Sequence, residues 1–293
     1  MTAGEAFAAI ALNCSGHVLA STNYAARGND PEGIHQLRVA IRRIRAAFAI
    51  FQDGALEHHR LRIGGELHVL QQKLGAAREW DVFLADTIGR APKRLRKDLR
   101  PLIECAERRR AAARRRARCE LRSPHCGDLL RRLHAWIDSQ LIYGPRRLRN
   151  RHWKQDVLAQ PAVGPAATIM GAYHDRACRL GRKVRKLDIK GLHRLRIRIK
   201  KLRYAAEFFA SLWPGRALKR YLAALRGLQD ALGTFHDTAL APALLARLRA
   251  SGGATGSTPA IDRWLSKQRR ADRKDTAELW DRFAKRKRFW ESE

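Results

Sequence analysis

The chain has 293 residues, above the usual range for one domain, so two units of about 100–200 residues, or one duplicated unit, are expected. Its 45% apolar residues supply a core and exclude a disordered chain, and no apolar stretch approaches the roughly 20 residues needed to span a bilayer. The 60 Lys+Arg against 28 Asp+Glu leave a formal charge of +32, a self-repulsion that a polyanion relieves: nucleic acid, an anionic membrane surface or a polyphosphate. Arg greatly outnumbers Lys. Guanidinium offers a planar fork of donors suited to phosphate oxygens, although a GC-rich genome produces the same bias.

In chain order, the N-terminal apolar run follows Glu5 and has no basic segment before it, which does not fit a secretory leader. The first helix with a clear pattern covers Gly33 to Phe51, where Leu37, Ile41, Ile44, Phe48 and Phe51 follow the a/d rhythm of a bundle helix. A block with Leu70, Gln71, Leu74 and Gly75 follows, then Arg78, Glu79 and Asp81. The Arg108 to Arg118 run has no counterpart at the repeat offset and reads either as a solvated helix face or as a source of nonspecific attraction. The stretch AQPAVGPAA, 159–167, is rich in helix breakers and marks a boundary between units, 1–160 and 161–293.

Beyond it the pattern repeats with 158 added to each number. Gly191 to Phe209 matches Gly33 to Phe51, with identical residues at 33, 35, 37, 38, 41, 45, 47 and 51. At the same offset, and without a gap, Leu228, Gln229, Leu232 and Gly233 match the Leu-Gly block, followed by His236 and Asp237. Ala239 stands where the first copy has Asp81. A loop is expected at 251–260, SGGATGSTPA, before a last amphipathic segment from Ile261 to about Trp290 that contains the basic run Lys285 to Arg288. Apolar spacing of three and four residues dominates and period-two runs are absent, so the fold is all-α, each copy contributing a four-helix bundle or something close to it.

At 100° per residue, His35, Arg38, Arg42 and Arg45 fall within an arc of about 80° beside the apolar seam. His193, Arg196, Lys200 and Arg203 form the equivalent stripe. Each stripe runs roughly 15 Å, long enough for several consecutive phosphates. A charge run alone is more often a solvated face, and a lone histidine beside a seam is more often packing. Recurrence of type and position, histidine included, shifts the weight to ligand contact. A neighbouring anion raises a histidine pKa, so binding is expected to strengthen below about pH 7. Glu79 and Asp237 read as ion-pair partners that orient a stripe cation. The five cysteines, Cys14, Cys105, Cys119, Cys126 and Cys178, are scattered without a CxxC pair and read as buried free thiols of a reducing compartment. His125 beside Cys126 lacks the rest of a ligand set, so neither a metal nor another cofactor is expected.

The pattern His-x-x-Arg-x-x-x-Arg/Lys-x-x-Arg, present at 35–45 and 193–203 with a Leu-Gly and acidic block after each, resembles that of the CHAD family, the conserved histidine α-helical domain. The resemblance spans nearly the whole chain. It implies two antiparallel four-helix bundles related by pseudo-twofold symmetry around a basic central cavity, and binding of inorganic polyphosphate there, with association with polyphosphate granules. Carried over by position, the implied contacts are His35, Arg38, Arg42 and Arg45 with His193, Arg196, Lys200 and Arg203, and more weakly Arg43 and Lys201. Relatives carry an additional triphosphate-hydrolysing domain marked by a Glu-x-Glu-x-Lys strand, a motif not found here.

The expected function is therefore non-catalytic, cytoplasmic binding of polyphosphate. Nucleic acid is the alternative polyanion, but aromatics are only 7% and none repeats within the stripes to serve as a stacking platform. A polyphosphate-processing enzyme needs carboxylates to hold Mg²⁺ or a phosphate-accepting nucleophile. No Walker-type loop is present, carboxylates are sparse beside the stripes, and His35 or His193 lacks an oriented partner in the sequence.

Overall fold

The computed structural model describes residues 1–28, 30–51, 57–148, 159–250 and 258–291. Among them lie eleven α-helices: α1 Ala3–Arg27, α2 Pro31–Ile50, α3 Glu57–Lys73, α4 Gly75–Val82, α5 Lys93–Asp98, α6 Arg100–Leu121, α7 Pro124–Leu148, α8 Val163–Gly181, α9 Ile189–Phe208, α10 Arg216–Ala250 and α11 Thr258–Ala284. The described residues contain no strand, only an isolated bridge between Thr2 and Pro161, and the fold is all-α. None of the described helices is long and apolar enough to cross a membrane.

Local chemistry sets the helix starts. Thr2 and Glu5 form a reciprocal capping box on α1, Glu5 N donating to Thr2 Oγ1 at 3.2 Å and Thr2 N to Glu5 Oε2 at 2.9 Å. Asp30 caps α2, accepting from Glu32 N at 2.8 Å, with Pro31 in the first turn. Asp188 stands 158 residues later and accepts from Gly191 N at 2.6 Å at the start of α9. The repeat thus includes the caps of both stripe helices, each typically worth about 1 kcal/mol.

The described residues divide into two compact units drawn from non-consecutive stretches. The first comprises Met1–Arg78, Arg114–Ala172 and Tyr204–Trp213; the second comprises Glu79–Ala113, Tyr173–Arg203 and Pro214–Glu293. The break at 159–167 separates the two sequence repeats, whereas each packing unit takes residues from both sides of it. α8 already begins at Val163, inside that break.

In the first unit α1 packs on α2 and α7, and α3 packs on α2 and α7, which closes a four-helix arrangement. Leu37, Ile41 and Ile44 of the α2 seam are fully buried, each contributing about 1.5–3 kcal/mol by transfer from water. Gly33 brings α2 against α1, since a Cβ there would lie 3.0 Å from Ala25 Cα. Phe48 packs edge-on to Trp136, with ring centroids 5.2 Å apart, and Phe51 lies 5.0 Å from Phe7.

The core of the second unit joins Trp80, Phe83, Leu84, Leu99 and Leu102 to Leu244, Leu245 and Leu248 of α10 and Ile261 and Leu265 of α11. Phe83–Thr87 is a π-helical turn continuing α4, and it packs on α10. At the position equivalent to Leu84, α10 carries Pro242 in its interior. Proline has no amide to donate and a π turn breaks the four-residue hydrogen-bond register, so both repeats lose regular backbone hydrogen bonding at the same place, while α10 continues as one helix through Pro242.

Of the expected loop at 251–260, residues 251–257 lie outside the described residues, and Thr258, Pro259 and Ala260 open α11. All five cysteines are free; Cys14, Cys105 and Cys126 are buried, Cys178 is half-buried, and Cys119 is exposed, against the expectation of five buried thiols. Cys119 lies on the solvent side of α6, whose apolar face is turned inward at Ala117 and Leu121.

Candidate functional site

α2 carries the first stripe and α9 the second. Seam residues at 34, 37, 41 and 44 are buried, as are their equivalents at 192, 195, 199 and 202. One step around each helix, His35, Arg38, Arg42 and Arg45 are half-buried, and so are His193, Arg196, Lys200 and Arg203. The same helical geometry therefore places both sets at the margin of a core, where stems are covered and polar heads reach the surface.

The Leu-Gly blocks support the stripes directly. Arg38 Nη1 donates to the Gln71 carbonyl oxygen, and Arg45 Nη1 donates to Gln71 Oε1 at 3.2 Å. In the second unit Arg203 Nε donates to Gln229 Oε1 at 2.9 Å. Gln71 and Gln229 are equivalent in the repeat, and so are Arg45 and Arg203. A glutamine oxygen orients a guanidinium fork without cancelling its charge. The glycines complete the arrangement. A Cβ on Gly75 would lie 3.6 Å from Arg38 Nη1, and one on Gly233 would lie 3.9 Å from Arg196 Nε and Nη2. A Cβ at either place would meet the guanidinium at ordinary contact distance, so a larger side chain would crowd it.

The histidines differ in their surroundings. Burial, then Arg78, Arg42 and Arg38, hold the His35 pKa below its ordinary value, partly offset by Glu32. Burial, Arg196 and Lys200 do the same to His193. Where the first repeat has Arg78 the second has His236, whose Nδ1 lies 3.3 Å from His193 Nδ1. Burial and the neighbouring Arg196, His193 and Lys200 push the His236 pKa down to about 4. This imidazole pair gives His193 a partner invisible in sequence. With both rings neutral, one nitrogen donates and the other accepts; two protonated rings would repel. Burial of Arg45 lowers its pKa as well, and the Arg42 Nε is buried with no hydrogen-bond partner among the described residues.

Arg43 and Lys201 are equivalent in sequence but not in setting. Arg43 pairs with Glu207 at 2.6 Å and lies over the rings of Tyr204 and Phe208, 5.9 and 5.4 Å from their centroids, all within the first unit. Lys201 is exposed beside Tyr173, Arg176, Arg194 and Arg198. The Glu79 carboxylate was expected to orient a stripe cation; instead it lies 3.7 Å from Arg247, whose guanidinium covers Trp80 at 5.5 Å. Arg247 arrives from the far end of α10, a neighbour that the repeat offset gives no means of finding. Asp237 is half-buried and Asp81 is buried, at 4% exposure.

Among the described residues no group of three or more His, Cys, Asp and Glu side chains is placed to hold a metal ion. The chemistry on offer is multivalent anion binding by oriented guanidinium, ammonium and imidazole groups. The sequence reading missed the Asp30 and Asp188 caps, the His236 partner and the anchoring role of the glutamines. The glutamine role had a signal, since both glutamines already matched in the repeat.

The chain is similar to the crystal structure of the CHAD domain from the plant Ricinus communis, at 28% identity and a TM-score of 0.71, covering 97% of this chain and 90% of that one. It also shares its fold with PptA from Streptomyces chartreusis, at 17% identity and a TM-score of 0.63, with both chains covered in full. No curated protein matches. The CHAD domain model matches residues 9–246, a span that includes both stripes and both Leu-Gly blocks, and the chain belongs to the CHAD family.

Proposed function

We propose that this protein binds inorganic polyphosphate without chemistry, using His35, Arg38, Arg42 and Arg45 on one stripe and His193, Arg196, Lys200 and Arg203 on the other. The reading is supported most by one observation: equivalent arginines are held by equivalent glutamines, Arg45 by Gln71 and Arg203 by Gln229. A merely solvated face has no need of such anchors at matched positions. Membership of a family linked to polyphosphate binding supplies the ligand class. The proposal extends to the finer architecture, two pseudo-symmetric bundles with a basic cavity, and to a place in the cytoplasm at polyphosphate granules.

Polyphosphate repeats its charge along a flexible chain, so successive basic side chains engage successive phosphates and release counterions together. Affinity then falls steeply with salt. The deciding experiment is a titration with polyphosphates of graded length at near-physiological salt, comparing the native protein with Arg38→Ala/Arg196→Ala and with Arg108→Ala/Arg115→Ala. The stripe variant is expected to lose far more affinity than the α6 variant. Equal losses would reduce the stripes to bulk charge and overturn the assignment. DNA and RNA at equal phosphate concentration are expected to compete poorly, and labelled polyphosphate incubated with Mg²⁺ is expected to keep its length.

A further inference from the structure

The basic run Lys285–Arg288 and the half-buried Cys178 have no place in the stripes, yet they meet at one cavity of the second unit. After α11 ends, the chain turns back, and Phe289 and Trp290 are buried at 6% exposure each. Their rings pack on Tyr221, with centroids 5.2 and 5.5 Å from its own. These two anchors fix a backbone that its composition alone would leave loose. They carry Arg286, Lys287 and Arg288 to a cavity of about 570 Å³ that Arg182, directly after α8, also lines.

The charges there do not balance. Arg288 satisfies both nearby carboxylates, its Nη2 lying 2.7 Å from Asp175 Oδ1 and its Nη1 2.9 Å from Glu291 Oε1. Among the described residues Arg182, Arg286 and Lys287 have no carboxylate partner. Three uncompensated cations converging on one concave surface concentrate potential there and suit a compact ligand with two or more negative charges. The two guanidinium forks match phosphate oxygens. Trp280, the aromatic on the wall, is 3% exposed and packed on Gly181, so it offers no face for a base to stack on.

We propose that this cavity is a second phosphate site, separate from the stripes, that holds an oligophosphate group: the end of a polyphosphate chain or the phosphate tail of a nucleotide. The floor carries a natural reporter. Cys178 Sγ lies 3.3 Å from His174 Nε2, and His174 Nδ1 lies 2.8 Å from Tyr221 Oη. Burial raises the Cys178 pKa while Arg288 and Arg182 oppose that rise. An anion seated on Arg182 removes its help and blocks approach to the sulfur, and both effects slow alkylation.

The test follows alkylation of Cys178 by mass spectrometry, with exposed Cys119 as the internal reference, in the presence of tripolyphosphate, ATP or long-chain polyphosphate. Tripolyphosphate is expected to slow Cys178 about tenfold, the effect of one unit in thiol pKa, and to leave Cys119 unchanged. Protection should disappear in Arg182→Ala/Lys287→Ala and persist in Arg38→Ala/Arg196→Ala. Protection by ATP as well identifies a nucleotide tail as an acceptable source, and protection by tripolyphosphate and long-chain polyphosphate alone identifies a chain end. Equal slowing of both cysteines, no slowing at all, or protection lost with the stripe arginines would overturn the proposal. Because the stripe variant retains this site, failure here leaves the assignment of the stripes untouched, and the reverse holds.

Discussion

The two stripes are built on one plan, but their histidines and outer cations are treated differently. Arg45 and Arg203 rest on equivalent glutamines, and Arg38 and Arg196 lie against equivalent glycines. Beside His35 stands Arg78, which lowers the pKa of that histidine; beside His193 stands His236, whose own pKa burial pushes down to about 4. Arg43 is locked by Glu207 and two rings, while Lys201 remains in solvent. The shared part is what an oriented guanidinium requires. The divergent part is where charge depends on pH: the first stripe has one histidine at this place, and the second has a pair.

The sharpest way to break the equivalence is to truncate the matched arginines separately. Arg38→Ala and Arg196→Ala should each weaken polyphosphate binding by about 1.5–3 kcal/mol, the range for a hydrogen bond to a charged group, measured by calorimetry at fixed salt. A loss confined to one repeat would end the claim that both stripes serve the ligand.

Next in size is the pH response. The folded His236 pKa is depressed to about 4 from the ordinary 6.5, so the unfolded chain takes up its proton first. Stability of the free protein should be full above pH 6.5 and fall progressively toward about pH 4. His236→Asn should flatten that decline in thermal melts. Bound phosphate reverses the pull on the stripe histidines, so affinity should rise as pH falls, and binding should take up protons. The depressed values of His35 and His193 place that rise lower than unperturbed histidines would.

Glu207→Gln removes the partner of a part-buried arginine and should cost about 1–2 kcal/mol of stability, whereas Lys201→Ala should stay within about 0.5 kcal/mol. Similar losses in denaturant titrations would erase the contrast between the two outer cations. Among the changes in affinity, the smallest belongs to the anchors. Gln71→Leu and Gln229→Leu should each reduce affinity by about 1 kcal/mol through lost orientation, with the charges intact.

Much of this architecture is legible in the residues because it is periodic. The seam Leu37, Ile41 and Ile44 and the stripe beside it follow from helix geometry, and the 158-residue offset finds their counterparts. What the offset cannot supply is a partner from an unrelated part of the chain. Arg247 reaching Glu79 and Glu207 reaching Arg43 are products of packing between segments with no pattern in common. The Asp30 and Asp188 caps were readable, since an aspartate precedes each stripe helix at the shared offset. They lay just outside the matched block.

Both Leu-Gly helices lose a regular backbone hydrogen bond at the same point of the repeat. In the first repeat the backbone widens at Phe83–Thr87, and in the second a ring without an amide sits at Pro242. The Thr238 carbonyl consequently loses the donor that a straight α10 would bring to it. The core that joins Phe83 and Leu84 to Leu244 and Leu245 packs beside both points. Deuterium uptake in α10 should therefore divide into two blocks on either side of Pro242, while Pro242→Ala should merge them into one slowly exchanging rod at the expense of the fit against Phe83.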